Sequence, residues 1–130
     1  MPKKKADFAN LEKRITSLAI RGRANVPKIV DVADGFIQDY VGGDYTVTTY
    51  HALEVFVPMA MDNPSLFYYP EEGESYIRHV MSQRAEELEA DPIGSIIISE
   101  YWMFESLIHF DLIGYVCMIV ARAVADGGVI

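Results

Sequence analysis

The stretch that most constrains this chain runs from Ile93 to Val124. It is the most apolar part of the sequence. Asp91-Pro92 opens it, a carboxylate able to accept the first free helical amides followed by a residue pre-set for a first turn. Glu100, Glu105, Asp111 and Arg122 interrupt it, so no window supplies the roughly 18–20 uncharged residues that a membrane crossing needs. The spacing predicts a buried helical pair instead. Ile93, Ile97, Tyr101, Phe104 and Ile108 recur on one helical face, and Ile96, Met103, Leu107 and Phe110 widen it. Asp111 is placed to cap the second helix, which ends at Gly127-Gly128. Surfaces this apolar must be covered by the rest of the chain.

That rest is short. With 130 residues the chain reads as a single domain spanning 1–130, long enough to hold a core without disulfides or metals. Residues 1–5, with Lys3, Lys4 and Lys5, read as a disordered terminus. Phe8, Leu11, Ile15, Leu18 and Ala19 set an amphipathic helix over residues 6–21, ended by Gly22. A second helix is expected from Val26 to Val41. Asn25 stands as its cap and Pro27 in its first turn, and Ile29, Val30, Ala33, Phe36, Ile37, Tyr40 and Val41 form its apolar stripe. Gly42-Gly43 stops it.

The pattern then changes. Residues 45–50, Tyr45 to Tyr50, are β-branched and aromatic with a period near two, and Leu53 to Val57 repeats the signal before Pro58. The short link between them predicts an antiparallel hairpin. Leu66-Phe67-Tyr68-Tyr69 is a possible third strand before Pro70. Residues 74–90 stay open, because the 81–89 segment favours helix while Tyr76-Ile77-Arg78-His79-Val80 suits a strand. Helices first, strands in the middle and helices last give an α+β expectation, with a small antiparallel sheet between N-terminal helices and buried C-terminal helices.

Charge is unevenly spread. The net charge is −8. Residues 1–28 carry eight basic and two acidic side chains, and residues 29–130 carry three basic and 17 acidic ones. A basic front on an acidic body bears on partners rather than on fold. It argues against DNA mimicry, since a basic groove that attracted the body would repel the front. No apolar core follows the N-terminal lysines, so a secretory signal is not expected. The single cysteine, Cys117, excludes an intramolecular disulfide framework. It lies in an apolar run and reads as an inert buried thiol. The expected location is the cytoplasm.

Motifs that carry chemistry are few. Gly42-Gly43 follows a helix and precedes the expected strand, the reverse of a nucleotide-binding loop. Glu105 and His109 stand four apart, a metal-ligand spacing; Glu100, five residues before Glu105, points well off that face, which leaves His51 or His79 to complete a site. The plainer reading of Glu105 and His109 is a surface carboxylate–imidazole pair. No catalytic residue, metal or cofactor is assigned. Arg78 and Arg84 are either interface anchors or partners of the neighbouring glutamates, with local ion pairs the simpler reading.

Two segments carry a resemblance. Tyr40-Val41-Gly42-Gly43-Asp44-Tyr45 through Tyr50, closing at Phe56-Val57-Pro58, resembles the Tyr-x-Gly-Gly-aromatic hairpin of the ArdB/KlcA antirestriction family. Glu89-Ala90-Asp91-Pro92-Ile93-Gly94 resembles that family's acidic–Ala–x–x–x–Gly helix start. The similarity spans residues 29–126, with comparable spacing, order and length. Asp44-Tyr45 stands where the family has an aromatic pair, and His51-Ala52-Leu53 replaces its Asn-Gly turn.

The resemblance implies a small cytoplasmic α+β protein of a phage or plasmid that relieves restriction without catalysis or cofactor. It also implies that residues 76–90 are extended. Its partner is then a host defence or restriction-enzyme protein, and Gly42, Gly43, Asp44, Tyr45 and His51 are the expected contact residues. Membrane association is not expected, nor is direct nucleic-acid binding. Two other classes stay open: a small metal-dependent enzyme using Glu100, Glu105 and His109, and a nucleic-acid-associated protein using the basic residues 1–28.

Overall fold

A computed structural model describes residues 7–42, 47–67, 76–103 and 108–126. Among these residues every regular element is a helix. In chain order they are α1 (Phe8–Ile20), a 3-10 turn (Arg23–Asn25), α2 (Val26–Val41), α3 (Val47–Asp62), a second 3-10 turn (Pro64–Phe67), α4 (Tyr76–Gln83), α5 (Ala85–Ala90), α6 (Pro92–Met103) and α7 (Ile108–Asp126). The fold is therefore all-α, not α+β, and the expected sheet is absent from the described residues.

The N-terminal helices form where their breakers put them. Asp7 caps α1 by accepting the Asn10 amide at 2.9 Å. Gly22, at φ 111°, adopts a conformation that side-chain-bearing residues rarely reach, and ends the helix. α2 has the expected bounds and stops at Gly42, φ 57°, whose amide donates to the Gln38 carbonyl. Asn25 does not cap α2 with its side chain. Its amide instead donates 3.1 Å back to the Leu18 carbonyl, fastening the turn to the end of α1.

The main correction lies at residues 47–62. From Val47 on, the two strands expected at 45–50 and 53–57 are replaced by one helix, α3; Tyr45 and Thr46 lie outside the described residues. Its buried residues explain why. Thr48, Thr49, Ala52, Leu53, Phe56, Val57 and Ala60 are all below a tenth exposed. They advance in pairs every four residues, the repeat of a helical face. The supposed turn His51-Ala52-Leu53 carries this repeat unbroken and contains no turn-forming residue. β-branched residues raise strand propensity, but packing on a core face overrides that preference. Pro58 sits inside α3, so it supplies no amide hydrogen to the Glu54 carbonyl one turn back.

The possible third strand is corrected at its first two residues, and the open segment takes one of its two readings. Pro64–Phe67 is a 3-10 turn that buries Phe67, while Tyr68 and Tyr69 lie outside the described residues. The open segment 76–90 is helical: α4 and α5 meet at Arg84, and the extended reading implied by the resemblance does not hold.

α7 is the centre of the molecule. It packs against α1, α2, α3, α4 and the Pro64–Phe67 turn. From Leu112 to Ala121 every residue but Tyr115 is buried, so this helix is apolar on nearly all sides and needs neighbours on nearly all sides. Asp111, expected as its cap, instead falls within its first turn. α7 is joined to α1 and α2 by a cluster of rings. Phe8 meets Phe36 at 5.1 Å, Tyr40 at 5.6 Å and Tyr115 at 5.8 Å between centroids, each pair edge-on.

α5 and α6 form a corner. Asp91 caps α6 as its sequence requires, accepting amides of Ile93 at 2.8 Å and Gly94 at 3.0 Å. Gly94 is buried against the Leu88 backbone, which lets the two helices approach closely. α5 packs on α6 and α4, and α6 packs on α3.

Candidate functional site: two charged surfaces

The structure does not gather the expected contact residues into a hairpin. Gly42 is exposed at the end of α2 and His51 lies on α3. Gly43, Asp44 and Tyr45 are outside the described residues. His51 Nδ1 sits 3.2 Å from Glu54 Oε1, one turn along the same helix. Its neighbour Tyr50 faces carboxylates from two helices. The negative charge of Glu54 raises its phenol above the ordinary range, helped by burial, Asp31 and Asp34. This face of α2 and α3 is acidic.

The metal-site residues are not brought together in what is described. Glu100 lies half-buried on α6. Glu105 is outside the described residues, and His109 lies in the first turn of α7 with a side chain that is likewise outside them. Among the described residues no group of three histidines, cysteines or acids is arranged to hold a metal ion. Cys117 is fully buried in α7, and desolvation drives its thiol far above the usual cysteine range. Such a thiol stays protonated and unreactive. Arg84 meets Glu87 at 3.3 Å, the local ion pair expected of it; the Arg78 side chain is outside the described residues.

Two surfaces stand out instead. The first is a shallow groove of about 580 Å³ between α1 and α2. Half-buried Leu18 and Val32 give it an apolar floor, and exposed Lys13, Arg14 and Lys28 line it with positive charge. Asp31 is the one carboxylate among the described residues of its lining. The basic character of residues 1–28 is thus partly concentrated here. Arg23 is used differently, pairing with Asp62 and so tying the α1–α2 turn to the end of α3.

The second surface is the α5–α6 corner. Ile93 is 47% exposed and Ile96 62%, one turn apart at the start of α6. Exposed Glu86, Glu89 and Asp91 precede them along the chain. This corrects the expected core face. The spacing puts Ile93 on it and Ile96 beside it, yet the inward residues of α6, among those described, are Gly94, Ile97, Ile98 and Tyr101. The face is turned because Gly94, lacking a side chain, is the residue that seats against Leu88. Sequence periodicity weights large apolar residues and gives glycine none, so the signal was present in Gly94 but carried no weight.

No helix among the described residues is long and apolar enough to cross a membrane. No protein-family model matches the chain, and neither the curated proteins nor the solved structures contain a match to it.

Proposed function

We propose that this chain is a non-catalytic protein that acts by docking on other proteins, and that its target is a host restriction or defence protein met in the cytoplasm. The observation that carries the docking part is the pair Ile93 and Ile96, exposed together beside an acidic helix. Single exposed apolar residues are ordinary, but two on one face of a helix that packs on an acidic one supply an apolar centre and polar rim for a protein contact. The polarised surface supports the same reading: opposite charges on different faces orient a partner and speed its encounter.

The target class comes from the sequence resemblance to the ArdB/KlcA family. Its helix-start segment, Glu89 to Gly94, coincides with the capped corner that presents the isoleucines. Its hairpin segment is helical where described, so the contact is assigned to the corner and not to a hairpin tip.

The experiment is phage plating on hosts carrying type I restriction, with and without expression of the chain. Relief of restriction by the wild type, lost in Ile96→Asp at equal protein level, is the expected outcome. Unchanged restriction across several defence systems removes the proposed target.

A further inference from the structure

We infer that the chain docks on a second copy of itself, head to tail, with the α5–α6 corner of one copy seated in the α1–α2 groove of the next. The two surfaces are complementary in both respects that matter. The corner offers exposed Ile93 and Ile96 at the start of α6, with Asp91 capping that helix and exposed Glu86 and Glu89 on α5, which packs on it. The groove offers an apolar floor of Leu18 and Val32 with Lys13, Arg14 and Lys28 on its lining against the single carboxylate of Asp31, a positive balance among its described residues. Apolar groups meet apolar groups at the centre, and opposite charges meet at the rim.

The alternative homotypic contact, corner against corner, is disfavoured by charge. It would bring the acidic rims of two copies together in a protein that already carries a net −8. Groove against groove would do the same with Lys13, Arg14 and Lys28. Only the mixed pairing satisfies both surfaces.

The mixed pairing has a consequence for assembly. A contact between different patches uses one patch of each copy and leaves the other free, so it continues into rings or open chains instead of stopping at a symmetric dimer. The contact is small and built on exposed charge, so its affinity falls as salt screens the rim. It also competes with any other partner for the corner, which makes self-association a reserve that a defence protein would displace. This competition rests on the proposed function; the self-association does not.

The test is sedimentation velocity on the wild type, on Ile96→Asp and on the double variant Lys13→Glu/Lys28→Glu, over roughly 1 µM to 1 mM, with circular dichroism to establish that each folds. All three positions are exposed, so the helical signal is expected to be retained. Ile93→Glu serves as a second corner variant should Ile96→Asp lose that signal. The wild type is expected to grow past dimer with concentration and to shrink as salt is added. Each variant alone is expected to be monomeric, with association weakened at least tenfold. An equimolar mixture of corner and groove variants is expected to recover a species that stops at two chains, because only one intact corner and one intact groove remain per pair. A wild type monomeric throughout, a groove variant that associates like the wild type, or a mixture that stays monomeric would each overturn the inference. None of these results depends on whether restriction is relieved.

Discussion

The α-carbon of Gly94 faces the backbone of Leu88 so closely that a methyl group there would overlap the Leu88 carbonyl oxygen and lie 3.1 Å from its carbonyl carbon. The obstacle is main chain, which cannot swing aside as a flexible side chain would. Gly94→Ala is therefore expected to destabilise the fold by about 1–3 kcal/mol, the usual cost of overpacking. Gly35 provides the control. It lies inside α2 with nothing within 4 Å of a methyl group, so Gly35→Ala is expected to stabilise by about 0.5–1 kcal/mol. Urea unfolding of the two variants checks the opposite signs.

Asp91 fixes the same corner from the side of α6. Its carboxylate accepts two otherwise free amides, those of Ile93 and Gly94. Asp91→Ala is expected to cost about 1 kcal/mol, and Asp91→Ser to retain most of the stability. Denaturant midpoints for the pair decide this. Equal loss in both would show that the carboxylate acts by charge and not by capping.

The parts of the fold that were legible in the sequence are those marked by local chemistry. Gly22 and Gly42 end helices, Pro27 lies in a first turn, and Asp91-Pro92 starts α6. Each works through one residue's own backbone or side chain, so position in the chain is enough to read it. α3 was not legible in this way. Tyr50, Val55 and Val57 favour a strand individually, and only the pairing of Thr48–Thr49, Ala52–Leu53 and Phe56–Val57 against α7 and α2 settles the helix. Ala52 and Ala60 carry that helical face, and their small size hides them from any reading based on bulky residues. The candidate surfaces were less legible still. The basic front was visible as a count, but its concentration in a groove needs α1 and α2 side by side. The exposure of Ile93 and Ile96 needs the close approach at Gly94.

Phe8 touches three rings from two other helices, so its value extends beyond its own area. Edge-on aromatic pairs contribute about 0.5–1.5 kcal/mol each beyond burial. Phe8→Leu preserves much of the apolar volume while removing the ring, and a loss of about 1 kcal/mol is expected. A double-mutant cycle with Tyr115→Leu should show positive coupling, since Phe8 and Tyr115 are in contact at 5.8 Å. Additive losses would place the stabilisation in area alone.

Cys117 is enclosed by the core and its thiol is held protonated by burial. Native protein is expected to resist a disulfide-exchange reagent at pH 8. Reaction should appear in parallel with denaturant unfolding, because only the unfolded chain exposes the sulfur. Rapid stoichiometric labelling of the native protein would contradict the central placement of α7.

The all-α fold is tested most directly by backbone NMR of residues 47–62. Secondary Cα and Cβ chemical shifts are expected to be helical without a break from Val47 to Asp62, through His51-Ala52-Leu53. Strand-type shifts at 47–50 and 53–57, with cross-strand contacts between those segments, would restore the hairpin and contradict the all-helical architecture.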